Sequence, residues 1–96
     1  MKSKRIINKE LCKKYTSYNC LICGGNNLVS GHHIMSKGSG GHDIEWNLMP
    51  LCFNHHTEVH VCGLVKFSLL YDLVKVFLDK NNWELCELTN KWRHYG

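Results

Sequence analysis

The sequence predicts a small α+β domain stabilised by zinc: strand, glycine-rich loop, strand and helix, followed by a helical hairpin. Three observations predict it. Two x2-spaced pairs, Cys20/Cys23 and Cys52/His55, bracket the middle of the chain. Two adjacent histidines, His32 and His33, stand near the end of the strand-like stretch LVSGHHI. A second histidine pair, His56 and His60, has the spacing that places both on one face of a helix. The chain has 96 residues, one domain's worth, and a core that small is marginal without a staple. Its 6 cysteines can supply the staple as disulfides or as metal ligands. Metal is favoured, because Cys20 and Cys23 have ligand spacing and are followed by Gly24 and Gly25, which suit a tight knuckle.

Taken in order, the elements are these. The opening residues, MKSKRIINKE, are charged and lack the apolar run of a secretion signal, so a cytoplasmic chain with reduced thiols is expected. No stretch is long and apolar enough to span a membrane. Residues 1–17 form a basic arm and a short helix, with Asn8 as its cap and Leu11 and Tyr15 facing inward. Residues 18–63 hold the metal-binding core. In it, residues 36–45 (SKGSGGHDIE) form a loop, Leu48 to Leu51 a short strand in which Pro50 marks an edge, and FNHHTEVHVC a helix closed by Gly63. In residues 64–96, Phe67, Leu70, Tyr71, Val74 and Leu78 recur at helical spacing, Asn81 and Asn82 break the run, and Trp83, Leu85, Leu88 and Trp92 suit a second helix.

Two metal sites follow from ligand chemistry. Structural zinc takes four Cys or His ligands in a closed shell. Cys20, Cys23, Cys52 and His55 supply a Cys3His set, with Cys62 as the rival for the fourth place. Cys12, Cys62 and Cys86 are otherwise expected to pack as small apolar residues. A catalytic ion needs an open position, and His32, His56 and His60 give three imidazoles and leave one. His33 is left over. Neighbours on a strand point to opposite faces, so it can stand apart from the His32 shell. Imidazole titrates near neutral pH, which suits a general base. A base needs a partner to fix its orientation, and Asn47 is the candidate, through its amide or its main-chain carbonyl. Its other reading is an ordinary turn asparagine.

The formal charge is +4, and six of the twelve Lys and Arg residues fall in the first fourteen positions. A basic arm beside a metal site suits a polyanion. Arg5, Lys13, Lys14 and Lys37 are the candidate phosphate contacts. No carboxylate cluster suggests a second catalytic metal, and Asp43 and Glu45 read as loop charges.

The pattern C-x2-C, HHI, GG, NLMPLC and HH-x3-H, running from Cys20 to His60, resembles the HNH endonucleases, phage and prophage members in particular. The resemblance covers residues 18–63, about half of the chain. It implies a ββα-metal (His-Me finger) fold around one divalent cation. It implies His33 as the general base, Asn47 as the residue fixing it, and His56 as a metal ligand. His32 stands where many members have aspartate, and His60 adds a third imidazole, as in the colicin group. His55 stands where many zinc-knuckle members have cysteine. The implied reaction is hydrolysis of DNA, nicking or cleaving it, to a 5′-phosphate and a 3′-hydroxyl, in a bacterial host cell. The cofactors would be structural Zn2+ and one further divalent ion, Mg2+, Mn2+, Ni2+ or Zn2+. The competing reading is a non-catalytic zinc module that binds nucleic acid or a replication or recombination partner.

Overall fold

Asn8 starts the first helix as its sequence suggests, its side chain accepting the N–H of Leu11 at 3.0 Å. The structure, a computed structural model, describes residues 5–95. The outer part of the basic arm, with Lys2 and Lys4, lies outside those residues. Helix α1 (Lys9–Lys14) runs into a 3-10 turn (Tyr15–Ser17) that buries Tyr15. The Tyr15 hydroxyl donates to the carbonyl of Leu48 at 3.2 Å, tying the turn to the first sheet.

That sheet is the antiparallel pair β1 (Ser30–His33) and β2 (Leu48–Leu51), with Ser30 opposite Leu51, His32 opposite Met49 and His33 opposite Leu48. Strand alternation sorts the side chains. Ser30 and His32 share a face with Met49 and Leu51, which enter the main core. Gly31 and His33 share the opposite face with Leu48, toward Tyr15. A Cβ on Gly31 would meet both Leu48 and Tyr15 at about 3.2–3.3 Å. Leu48, Met49 and Leu51 are all fully buried, so this short strand is covered on both faces.

The loop between the strands is not structureless. It holds 3-10 turns at Lys37–Ser39 and Glu45–Asn47. Gly41 lets it close: a Cβ there would stand 1.8 Å from the Met35 carbonyl oxygen. Helix α2 (Phe53–Cys62) follows β2 almost directly and ends at Gly63, whose φ of +83° an L side chain rarely adopts. Strand, loop, strand and helix therefore occur in the order expected.

The expected helical hairpin over residues 64–96 is corrected. Its first half is two helices, α3 (Leu64–Leu70) and α4 (Asp72–Lys80), separated by extended Tyr71. Its second half is an antiparallel β-hairpin, β3 (Trp83–Cys86) and β4 (Lys91–His94), in which Trp83 faces His94 and Leu85 faces Trp92. The same apolar residues fit a period of two as well as a helical one. Leu88, placed inside by the helical reading, sits at the hairpin tip and is 97% exposed. Asn82 and Asn90 take positive φ of 62° and 57°, the turn conformation that asparagine tolerates. Trp83 is buried and its indole N–H donates to the Trp46 carbonyl at 2.7 Å, latching the hairpin to the loop. Among the described residues the architecture is thus α+β, with helices and two small sheets. One core joins Cys20, Met49, Leu51, Val59, Phe67, Val74, Leu78 and Trp83.

Candidate functional site

Cys20 and Cys23 come from the knuckle before β1, and Cys52 and His55 from the start of α2. Their four donor atoms lie within 4.8 Å of one another. A tetrahedral shell with Zn–S bonds of 2.3 Å has S–S edges of about 3.8 Å. Cys23 Sγ and Cys52 Sγ are 3.8 Å apart, Cys20 Sγ and His55 Nδ1 3.6 Å, and Cys52 Sγ and His55 Nδ1 3.2 Å. The set can hold a structural metal such as zinc. Cys62, the rival fourth ligand, lies outside it, its thiol donating to the Gly63 carbonyl. Burial pushes the Cys20 thiol up, but main-chain N–H groups of Cys23, Cys52 and Ile22 pull it down further, to about 6. Tyr71, at the break between α3 and α4, packs edge-on against His55 with ring centres 5.5 Å apart, and its hydroxyl donates to Glu58 at 2.6 Å.

His32 does reach the α2 histidines. Its ring lies 5.1 Å from that of His56 and 5.1 Å from that of His60, and the α2 pair are 4.8 Å apart, all centre to centre. One nitrogen from each falls within the same 4.8 Å limit. Burial above all, then His56, His60 and His33, holds the His32 imidazole down at about 3. His56 is pushed down by the same kinds of cause. Both shifts, in His32 and His56, favour the neutral lone-pair form that a metal requires. Ser30, two residues before His32 on the same face, sits 2.9 Å from His56 Nδ1 and leaves Nε2 for an ion. Nothing in the sequence marked Ser30, because its partner is 26 residues away.

His33 points to the other face, as strand alternation requires. Its holder is not the expected one. Asn47 makes its side-chain hydrogen bonds to loop backbone: Oδ1 accepts from Met35 N at 2.8 Å, and Nδ2 donates to the carbonyls of Met35 and His42 at 3.1 and 2.9 Å. Its own carbonyl accepts from Ile34 N. The buried Asn47 therefore shapes the loop, and the assignment of it as the direct holder of the His33 ring is corrected. Asp43, read as a loop charge, takes that place: its Oδ1 is 2.8 Å from His33 Nε2. Asp43 is only 4% exposed and is fully engaged. Oδ2 accepts the N–H of Asn8 at 2.9 Å, and the Arg5 guanidinium pairs with Oδ1. Burial raises the Asp43 carboxyl, but His33, Asn8 and Arg5 together bring it below its ordinary value. A neutral His33 that donates Nε2–H to this carboxylate would leave Nδ1 as a proton acceptor.

No family model matches the chain, and no solved structure matches it. The chain is similar to Anaredoxin of Nostoc sp. (strain PCC 7120 / SAG 25.82 / UTEX 2576), at 37% identity over 49 residues. That stretch is 50% of this chain and 64% of the relative, so the match spans less than two thirds of the relative's length.

Both histidine groups border one groove of about 820 Å³, with Lys37 on its rim and no carboxylate among its lining residues. Such a groove suits an anion. Lys13 and Lys14 are exposed at the end of α1. Arg5, the fourth expected phosphate contact, is turned inward onto Asp43 and the Gly41 carbonyl, which corrects that assignment. Among the described residues no helix is long and apolar enough to cross a membrane.

Proposed function

We propose that this protein is an HNH-type endonuclease that hydrolyses DNA phosphodiester bonds with one divalent cation. One observation carries the reading. His32 from β1 meets His56 and His60 from α2, while His33, next along the same strand, presents a carboxylate-held imidazole to the same groove. The unit β1, loop, β2 and α2 is read as the ββα-metal core of that family, and the Cys3His set as its structural zinc site.

The roles divide as follows. His32, His56 and His60 would hold the cation. When bound, it would neutralise phosphate charge and stabilise the leaving 3′ oxygen. His33 Nδ1 accepts a proton from water, and that oxygen attacks phosphorus. The bond to the 3′ oxygen breaks, that oxygen takes a proton from solvent water, and a 5′-phosphate and a 3′-hydroxyl are left. Asp43 keeps the His33 proton on Nε2 and so keeps Nδ1 basic. Ser30 orients His56. Lys37 contacts the phosphate backbone at the groove, and Lys13 and Lys14 extend the contact, without reading base sequence.

The test is cleavage of supercoiled plasmid and of single-stranded DNA, across Mg2+, Mn2+, Ni2+ and Zn2+. The wild type should cut, and His33→Ala should lose activity by about a hundredfold or more while keeping its fold and zinc content. Cleavage retained in His33→Ala removes it as the base. No cleavage by the wild type with any of these ions leaves the non-catalytic zinc module.

A further inference from the structure

A third group of ligand-type side chains lies beside the base. Cys12 on α1, His33 on β1 and Asp43 in the loop bring a sulfur, a nitrogen and an oxygen within 4.8 Å of one another. Cys12 and His33 are half-buried and border the groove, so an ion can reach them from solvent. Asp43 is buried behind them. The donor types, one thiolate, one imidazole and one carboxylate, are those that bind Zn2+ or Co2+ in preference to Mg2+. Three protein ligands leave a fourth position for water.

We propose that Cys12, His33 and Asp43 form an inhibitory site for a thiophilic divalent cation such as Zn2+, separate from the His32/His56/His60 set. An ion there takes His33 Nε2, the nitrogen next to Asp43, together with that carboxylate; the proton held on Nε2 passes through solvent to Nδ1, so the imidazole no longer accepts a proton from water. Binding releases the Cys12 thiol proton to solvent. Arg5 is the built-in competitor. Its guanidinium already sits on Asp43 Oδ1, so an incoming ion has to share or displace it, which makes the site weaker than the Cys3His set. The inhibitory consequence rests on the nuclease reading; the metal site itself does not.

The experiment titrates Co2+ into protein whose Cys3His set is loaded with zinc, following the near-ultraviolet thiolate-to-cobalt absorption and any released zinc. Wild type should develop that absorption without releasing zinc. Cys12→Ser should lose it and retain its zinc, which also reports that the variant is folded. Identical titrations of the two proteins overturn the site. In parallel, excess Zn2+ is added to Mg2+-supported DNA cleavage. The zinc concentration that halves the rate should rise by well over a hundredfold in Cys12→Ser, beyond the 10–100-fold typical for loss of a mere outer partner. Equal zinc sensitivity in both proteins overturns the inhibitory role. If neither protein cuts DNA, the nuclease reading fails alone, and the cobalt titration still decides the site.

Discussion

Asp43 shows how a residue's role depends on what reaches it. In the sequence it is one acid in a polar loop. In the structure it is buried and joins the N-terminal segment, through Arg5 and Asn8, to His33. Asp43→Asn preserves shape but removes the charge that fixes the imidazole tautomer. On the proposed nuclease reading, its kcat for DNA cleavage should fall by about a hundredfold with KM little changed. A drop confined to KM would assign Asp43 to substrate binding instead. The buried imidazole of His32 sets a pH dependence. Its folded-state value of about 3 lies below the unfolded value of 6.5, so between those limits the unfolded chain binds more protons. Stability is therefore fully present above pH 6.5 and is lost as pH falls toward 3. Cys20, lowered from 9 to about 6, acts with the same sign between those values. Thermal unfolding from pH 7 to pH 4.5 should show a falling Tm, with a shallower slope in His32→Gln. Equal slopes would mean that His32 is not the group responsible.

Among the elements, α2 carries three candidate metal ligands, His55, His56 and His60, and the C-terminal hairpin holds most of the surprise. Helix α2 was legible because its ligands repeat locally, one turn apart, and because Gly63 ends it. The hairpin was not. Trp83, Leu85 and Trp92 fit two periods, and only cross-strand pairing with His94 and Trp92 selects one. Propensity contributed little, since short strands are stabilised by what they pack against. Trp83 packs against Trp46, with ring centres 5.7 Å apart, and donates to its carbonyl. Trp46 also stacks on His94 at 3.7 Å. Trp83→Ala should therefore cost about 3–5 kcal/mol and lower Tm by roughly 12 °C or more. A loss under about 1 kcal/mol would show that the hairpin is not needed to hold the loop.

At the scale of the whole molecule, the Cys3His set ties the knuckle to the start of α2, 35 residues on from Cys20 to His55. The described core is small, and it includes two of those ligands, Cys20 and Cys52. Ligation there would therefore be folding energy, and a chelator should unfold the metal-loaded domain. Cys20→Ala should show lost helical circular dichroism and broadened amide spectra at 25 °C. A cooperatively folded, metal-free Cys20→Ala would remove the structural role.

The sequence by itself determined the grouping of the candidate ligands. C-x2-C and C-x2-H are closed by local turns, H-x3-H by the pitch of a helix, and the separation of His32 from His33 by the pleat of a strand. Each depends on geometry within a few residues. Only the tertiary structure decided what surrounds them: Asp43 in place of Asn47 beside His33, Arg5 turned inward, Ser30 on His56, Cys12 near His33. In the sequence Arg5 reads as a phosphate contact, Asp43 as a loop charge and Cys12 as a packed thiol, and Ser30 carries no signal at all. Those contacts join segments 10 to 38 residues apart. No spacing rule specifies such meetings, because they are selected by which faces must be buried together.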